Sequence, residues 1–246
     1  MNRRPPILAL LACAVYLATA GCKSPPGKPG PNFETQRPEQ VADFATLYSQ
    51  NCAACHGVNG KNGAAIPLAN PVYLAVAGFQ NIQHATAAGV PGTAMPPFAK
   101  SAGGTLTDQQ IAILAAGMEQ KWGRPDALPC PPPPYAASAP GNATQGQRAF
   151  TAYCAQCHGA DGSGAHLNNN VVTGSIVDPA YLALISDQGL RSVIVAGQAE
   201  QGPHNWMSYA TNPPTRMISD LEITDIVAWL ASQRIAAPGQ PYKQHP

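Results

Sequence analysis

Charge is scarce in this sequence. Only 11% of its 246 residues are charged, against roughly a quarter in an ordinary soluble domain. The 14 Lys and Arg nearly balance the 13 Asp and Glu, so a broad basic face is excluded. Aromatic residues are also few, at 7%, and no Lys/Arg cluster accompanies them. Neither base stacking nor phosphate tracking has a platform, which removes nucleic acid as a partner. Long apolar runs are missing too: beyond the N-terminus none approaches the roughly 20 residues that a membrane-spanning helix needs. What is abundant is loop chemistry, with 26 Pro and 23 Gly.

The N-terminus reads as a targeting segment. Arg3 and Arg4 precede an apolar run from Ile7 to Ala20, too short for a comfortable bilayer span but suited to a signal-peptide core. Ala18, Thr19, Ala20 and Gly21 then lead into Cys22. Ordinary signal cleavage needs only such small residues. Small residues ending directly on Cys resemble a lipoprotein signal, in which Cys22 becomes the lipidated first residue; Thr19 departs from the Leu such signals usually carry. The expectation is a signal peptide over 1–21, a flexible tether over 22–40, and an exported chain on the periplasmic side, anchored to the membrane through Cys22. The mature chain would carry 12 bases and 13 acids.

With Cys13 leaving in the signal and Cys22 given to lipid, five cysteines remain. Four form two pairs of equal spacing: Cys52, Ala53, Ala54, Cys55, His56, Gly57 and Cys154, Ala155, Gln156, Cys157, His158, Gly159. CxxCH is the attachment signature of c-type haem, in which two thiols add across the vinyl groups and the adjoining His binds iron. A structural zinc ion would want four Cys/His ligands and gives no reason for a His after the second Cys of both pairs. A thioredoxin-like pair would follow a strand and has no tied His. The motifs therefore predict two covalently attached haem c groups, with Cys52, Cys55, Cys154 and Cys157 as attachment points and His56 and His158 as iron ligands.

The surrounding chain repeats about these motifs. Tyr48 and Phe150 stand four residues before the first Cys of each, while Phe44 and Gly146 stand eight before it. Asn70, Pro71, Val72, Tyr73, Leu74, Ala75 match Asp178, Pro179, Ala180, Tyr181, Leu182, Ala183 at a shift of 108, and the shift becomes 112 near the end of each repeat. There Thr107 with Gln110 and Ser219 with Glu222 predict capping boxes. The helices that follow should bury Ile111, Leu114, Met118 and Ile223, Ile226, Leu230. Between the repeats, the stretch from Gly123 to Gln145 holds Pro125, Pro129, Pro131, Pro132, Pro133, Pro134 and Pro140. Helices and central strands exclude such a stretch, which predicts a stiff linker.

Each repeat resembles a class I cytochrome c domain. The resemblance covers residues 41–122 and 144–236 and implies an all-α chain of two tandem helical domains, with a Pro-rich linker over 123–143 and a tail over 237–246. It also implies a distal Met on a later loop. Met95 and Met207 each lie 13 residues before a helix-start acid, Asp108 or Asp220, and Met95 is followed by Pro96 and Pro97, as the family's ligand usually is. Met95 and Met207 are thus the expected sixth ligands. His84 and Met118 are rivals in the first repeat; His204, His166 and Met217 are rivals in the second, where Ser208 stands in place of Pro96. Pro67 resembles the family proline whose carbonyl receives the proximal imidazole N–H, and Asn168, Asn169 and Asn170 occupy the equivalent place. Trp206 and Trp229 are candidates to edge the second haem or to fill its core. Cys130 reads as an incidental thiol.

The resemblance implies a dihaem cytochrome that carries single electrons between respiratory or photosynthetic partner complexes, itself no catalyst. The alternative is a haem-bearing subunit of an oxidoreductase, or a dihaem peroxidase with an open coordination site. Residues 142–236 carry seven acids and four bases, so redox partner proteins with a cationic patch would suit the second repeat.

Overall fold

The longer helices of the computed structural model start where a short polar side chain can hold their first free N–H groups. The structure describes residues 36–167, 171–198, 205–207 and 216–235. In the first repeat α1 (Phe44–Asn51) is capped by Asp43, which accepts from Thr46 N at 2.7 Å. The single turn α2 (Ala53–His56) follows at once. Helix α3 (Pro71–Ala88) has Asn70 as its cap and Pro in its first turn, where the missing N–H costs nothing. Helix α4 (Asp108–Trp122) opens on the expected Thr107/Gln110 capping box.

The second repeat has the same plan with looser joints. Helix α5 (Ala143–Tyr153) and the turn α6 (Ala155–His158) lead into a small antiparallel hairpin, β1 (Ala165–Leu167) with β2 (Val171–Thr173), registered Ala165 to Thr173. Nothing in the sequence pattern predicts this hairpin. Next come α7 (Pro179–Leu184), α8 (Asp187–Ala196) and α9 (Asp220–Ser232), the last opening on the expected Ser219/Glu222 box. Helix α3 is itself broken inside at Gly78 (φ 66°, ψ 165°), at the place where the second repeat separates α7 from α8. The arrangement is largely helical and cytochrome-like. Among the described residues, no helix is long and apolar enough to cross a membrane.

Each repeat builds its own core where its first helix meets its last. Ile111, Leu114 and Met118 are buried in one core, Ile223, Ile226 and Leu230 in the other. The crossing needs one large and one small residue in contact, and the repeats assign them oppositely. In the first repeat Phe44 of α1 lies over Gly117 of α4, so that a Cβ on Gly117 would overlap the Phe44 ring. In the second, Gly146 replaces Phe44 and Trp229 replaces Gly117. A Cβ on Gly146 would overlap Asp225 O and stand 2.9 Å from Trp229 Cβ. A ring can swing aside whereas a helix carbonyl cannot. Gly146→Ala should therefore cost about 2–3 kcal/mol in denaturant melts and Gly117→Ala less, the usual range for overpacking. Equal costs would show that the second crossing is as soft as the first.

The linker is fastened along its length. Arg191 of α8, only 2% exposed, donates to Pro134 O through Nε and Nη2 at 3.0 and 2.8 Å and to Tyr135 O at 3.1 Å. Its Nη1 reaches Thr224 Oγ1 at 3.0 Å, and its Nη2 pairs with Asp220. Gln188 adds a second bond to Tyr135 O at 2.8 Å, and Asn142 N donates to Asp225 Oδ1 at 2.6 Å. Tyr135 packs against the first core and Cys130 against the second. The described residues from Pro38 onward thus form one compact unit.

Candidate functional site

Both CxxCH motifs fold into the same turn. Cys52 N donates to Tyr48 O at 2.9 Å and His56 N to Cys52 O at 3.0 Å; Cys154 and His158 repeat the pattern at 2.8 and 3.0 Å. One helical turn thus carries both thiols and the imidazole of each motif. A glycine at positive φ ends each turn, Gly57 at 80° and Gly159 at 78°. At Gly57 a Cβ would also overlap Lys61 O, so no other residue fits that exit. Tyr48, four residues before Cys52, is buried and donates through its hydroxyl to Gly57 O at 2.9 Å, bracing the same turn.

The first histidine is held in one orientation. His56 is buried, and its Nδ1 lies 2.8 Å from Ile66 O. A carbonyl can only accept, so Nδ1 carries the proton and Nε2 keeps its lone pair for a metal. The acceptor is the carbonyl of Ile66 and not that of Pro67: the proline acts one residue back, by restricting its predecessor to extended backbone. Burial lowers the pKa of His56 against the opposing bond to Ile66, and burial likewise lowers that of His158. Both rings are therefore neutral, the form that ligates metals. In the second repeat His158 Nδ1 is buried with no partner among the described residues, as are Tyr153 Oη and Trp206 Nε1.

The donor set fits a covalently bound haem c. Burial first, and Cys55 or Cys157 second, pushes the thiols of Cys52 and Cys154 up to about 12. All five described cysteines are free. Among the described residues no group of three or more His, Cys, Asp or Glu could hold a metal ion. Each turn thus offers one imidazole that would hold iron and two thiols that would fasten a ring.

The other expected ligands fall in matching loops. Met95, half-buried, lies between α3 and α4, with its N donating to Thr93 Oγ1 at 3.2 Å and its carbonyl accepting from Val90 N at 3.1 Å. Met207, also half-buried, lies between α8 and α9, packs on the second core and donates through its N to Asn205 Oδ1 at 2.9 Å. Met118 belongs to the first core, His84 and His166 are exposed on α3 and β1, and Met217 is exposed. His204, Cys22, the predicted signal peptide and the predicted C-terminal tail lie outside the described residues. Trp206 and Trp229 are both buried in the second core. Sequence reasoning misses Arg191, whose signal is a lone cation amid Leu190, Ser192 and Val195 on a buried helix face.

Two families match the chain, one per repeat. The family described as cytochrome c oxidase, cbb3-type, subunit III matches residues 39–116, and the family cytochrome c matches residues 143–234. Cytochrome-c-family domains bind haem c covalently, which agrees with the two turns described above. The chain carries cytochrome-c-family sequence related to the subunits of cbb3-type oxidases. It is 29% identical over 153 residues to the cbb3-type cytochrome c oxidase subunit FixP of Sinorhizobium medicae (strain WSM419), covering 58% of this chain and 46% of that one. It is also 29% identical over 148 residues to the subunit CcoP of Azospirillum sp. (strain B510), covering 54% and 45%. The chain thus spans about half the length of the curated relatives it matches. A chain of the Kuenenia stuttgartiensis reducing HAO-like protein complex aligns over 78% of this chain and 96% of its own at a TM-score of 0.38 and 14% identity, too distant to bear on function.

Proposed function

We propose that this chain is a dihaem c-type cytochrome that passes single electrons as a subunit of a respiratory oxidoreductase on the periplasmic side. The observation that carries the reading is the pair of equivalent CxxCH turns, each in a stretch related to cytochrome c. Relationship to oxidase subunits favours a subunit over the membrane-tethered carrier between complexes expected from sequence.

In this reading Cys52 and Cys55 fasten the first haem and Cys154 and Cys157 the second. His56 and Met95 would ligate the iron of the first haem, and His158 and Met207 that of the second. Haem c supplies a one-electron ferric/ferrous couple when bound. The chain's own residues orient the His56 ring through Ile66 O, fill the space around each turn with apolar side chains, and hold the two repeats at one spacing through the fastened linker. Two Met in matching loops would fill the iron position that a peroxidase keeps open. Lipid on Cys22 would anchor the chain; stable attachment takes more than one acyl chain, which a bacterial lipoprotein carries.

Haem-stained native gels of gently solubilised membranes test the assignment. The chain should co-migrate with a terminal oxidase activity and retain all its haem after acid-acetone extraction. Cys154→Ala should lose one of the two haems and keep the other. Migration as a free species would return the reading to a shuttle, and ready carbon monoxide binding by the reduced wild type would favour an enzyme.

A further inference from the structure

We propose that Asn70, in the first repeat, is a positioning residue for the loop that carries Met207 in the second. The proposal rests on the reading above, in which that loop supplies the distal ligand of the second haem. The last carbonyls of a helix have no partner within it. At the end of α8 three successive ones are taken from outside. Val195 O accepts from Trp206 N at 3.4 Å, and Ala196 O and Gly197 O accept from Asn70 Nδ2 at 3.2 and 2.9 Å. Trp206 is buried and stands next to Met207. A single helix end therefore holds both the residue beside the ligand and a side chain of the other repeat.

The first repeat ties its own loop to the carbonyls that match Ile194 O and Val195 O. There Thr86 O and Ala87 O accept from Phe98 N and Ala99 N, at 3.1 and 3.2 Å, donors that follow Met95 by a few residues. In the second repeat, among the described residues, the loop backbone makes one such bond, at Val195 O, and Asn70 takes the two carbonyls that follow. Ala196 packs into the first core and Val76 against the second, so the contact lies within apolar surroundings and water is a poor substitute.

The orientation of the Asn70 amide is fixed by its other duty. Its Oδ1 accepts from Val72 N and Tyr73 N at 3.0 and 3.3 Å as the cap of α3, which turns the NH₂ group towards α8. Asp178, at the matching position, caps α7 in the same manner through Ala180 N and Tyr181 N, at 2.9 and 3.0 Å, and has no hydrogen to donate. Asn70→Asp therefore keeps the cap and deletes only the two donated bonds, setting a carboxylate against two carbonyl oxygens. Asn70→Ser is the uncharged companion: it caps, yet is too short to span to α8.

Both variants are made in the full chain with both haems. Two properties are read: amide hydrogen exchange over Val193–Gln198, and carbon monoxide binding by the reduced protein, with Met207→Ala as the standard for an opened second haem. The expected result is exchange faster by about tenfold or more, together with a carbon monoxide-reactive second haem and an unchanged thioether charge-transfer band from the first. Unchanged exchange and unchanged reactivity in both variants would overturn the proposal, as would a change confined to the first haem. If wild type already binds carbon monoxide at the second haem, the ligand assignment fails, and exchange alone then decides whether Asn70 holds the end of α8. Should Asn70→Asp fail to take up haem, the same two measurements on Asn70→Ser decide.

Discussion

Met95→Ala is expected to lower the midpoint potential of the first haem by tenths of a volt, part of the roughly 0.8 V range that axial ligation spans. The second haem should titrate as before. A thioether is a soft donor that favours the reduced metal, and water or a stray imidazole in its place favours the oxidised one. The loop should survive the change, because its hold on Met95 is through the backbone: Val90 N to Met95 O and Met95 N to Thr93 Oγ1. A potentiometric titration with near-infrared detection of the thioether charge-transfer band reads both effects. Met118→Ala is the control, since that side chain is 2% exposed and packs in the first core. Its loss should cost about 2–5 kcal/mol of stability, as for other buried Met truncations, and leave the band in place. A band that persists in Met95→Ala would exclude Met95, and a band lost in Met118→Ala would put the ligand on α4.

How much of this is legible in the sequence depends on the range of the interaction. The CxxCH turns are local, three and four residues across, so spacing alone places both thiols and the imidazole on one face. The capping boxes at Thr107 and Ser219 are equally local and appear as expected. The exchange of Phe44 and Gly117 for Gly146 and Trp229 is not legible, because each half looks like a defect until the partner helix is in place. Nor is the hairpin, since its strands are three residues each and flank the polar run Asn168–Asn170 that reads as plain loop. The tie between His56 and Ile66 falls one residue before the place that Pro67 suggests. A proline marks the position strongly, while the carbonyl that accepts the bond belongs to the residue before it. Pro71 reveals the cap at Asn70 but not the role of its amide, whose partners are 126 and 127 residues distant.

Arg191 is the residue least legible from sequence, and replacing it should cost a large share of the stability. Arg191→Met keeps much of the side-chain volume and deletes the guanidinium. Pro134 O then loses two donors and Tyr135 O and Thr224 Oγ1 one each, while Asp220 loses its cation. Breaking a fully buried ion pair costs about 3–5 kcal/mol. Asp220 is 36% exposed and can turn to water, and Tyr135 O keeps Gln188, so about 3 kcal/mol is the expected loss. Arg216→Ala supplies the comparison: its side chain is 58% exposed beside Glu222, and such surface pairs contribute about 0–1 kcal/mol. Urea melts of the fully haem-loaded proteins measure both. If Arg191→Met cost no more than Arg216→Ala, the linker would be held by its prolines and apolar contacts alone. If it costs the expected amount, Pro134 comes free of α8 and Tyr135 is left on Gln188 alone, and the spacing between the repeats broadens. Electron transfer between the two haems should then become heterogeneous in rate, although each repeat keeps its own CxxCH turn and both midpoint potentials.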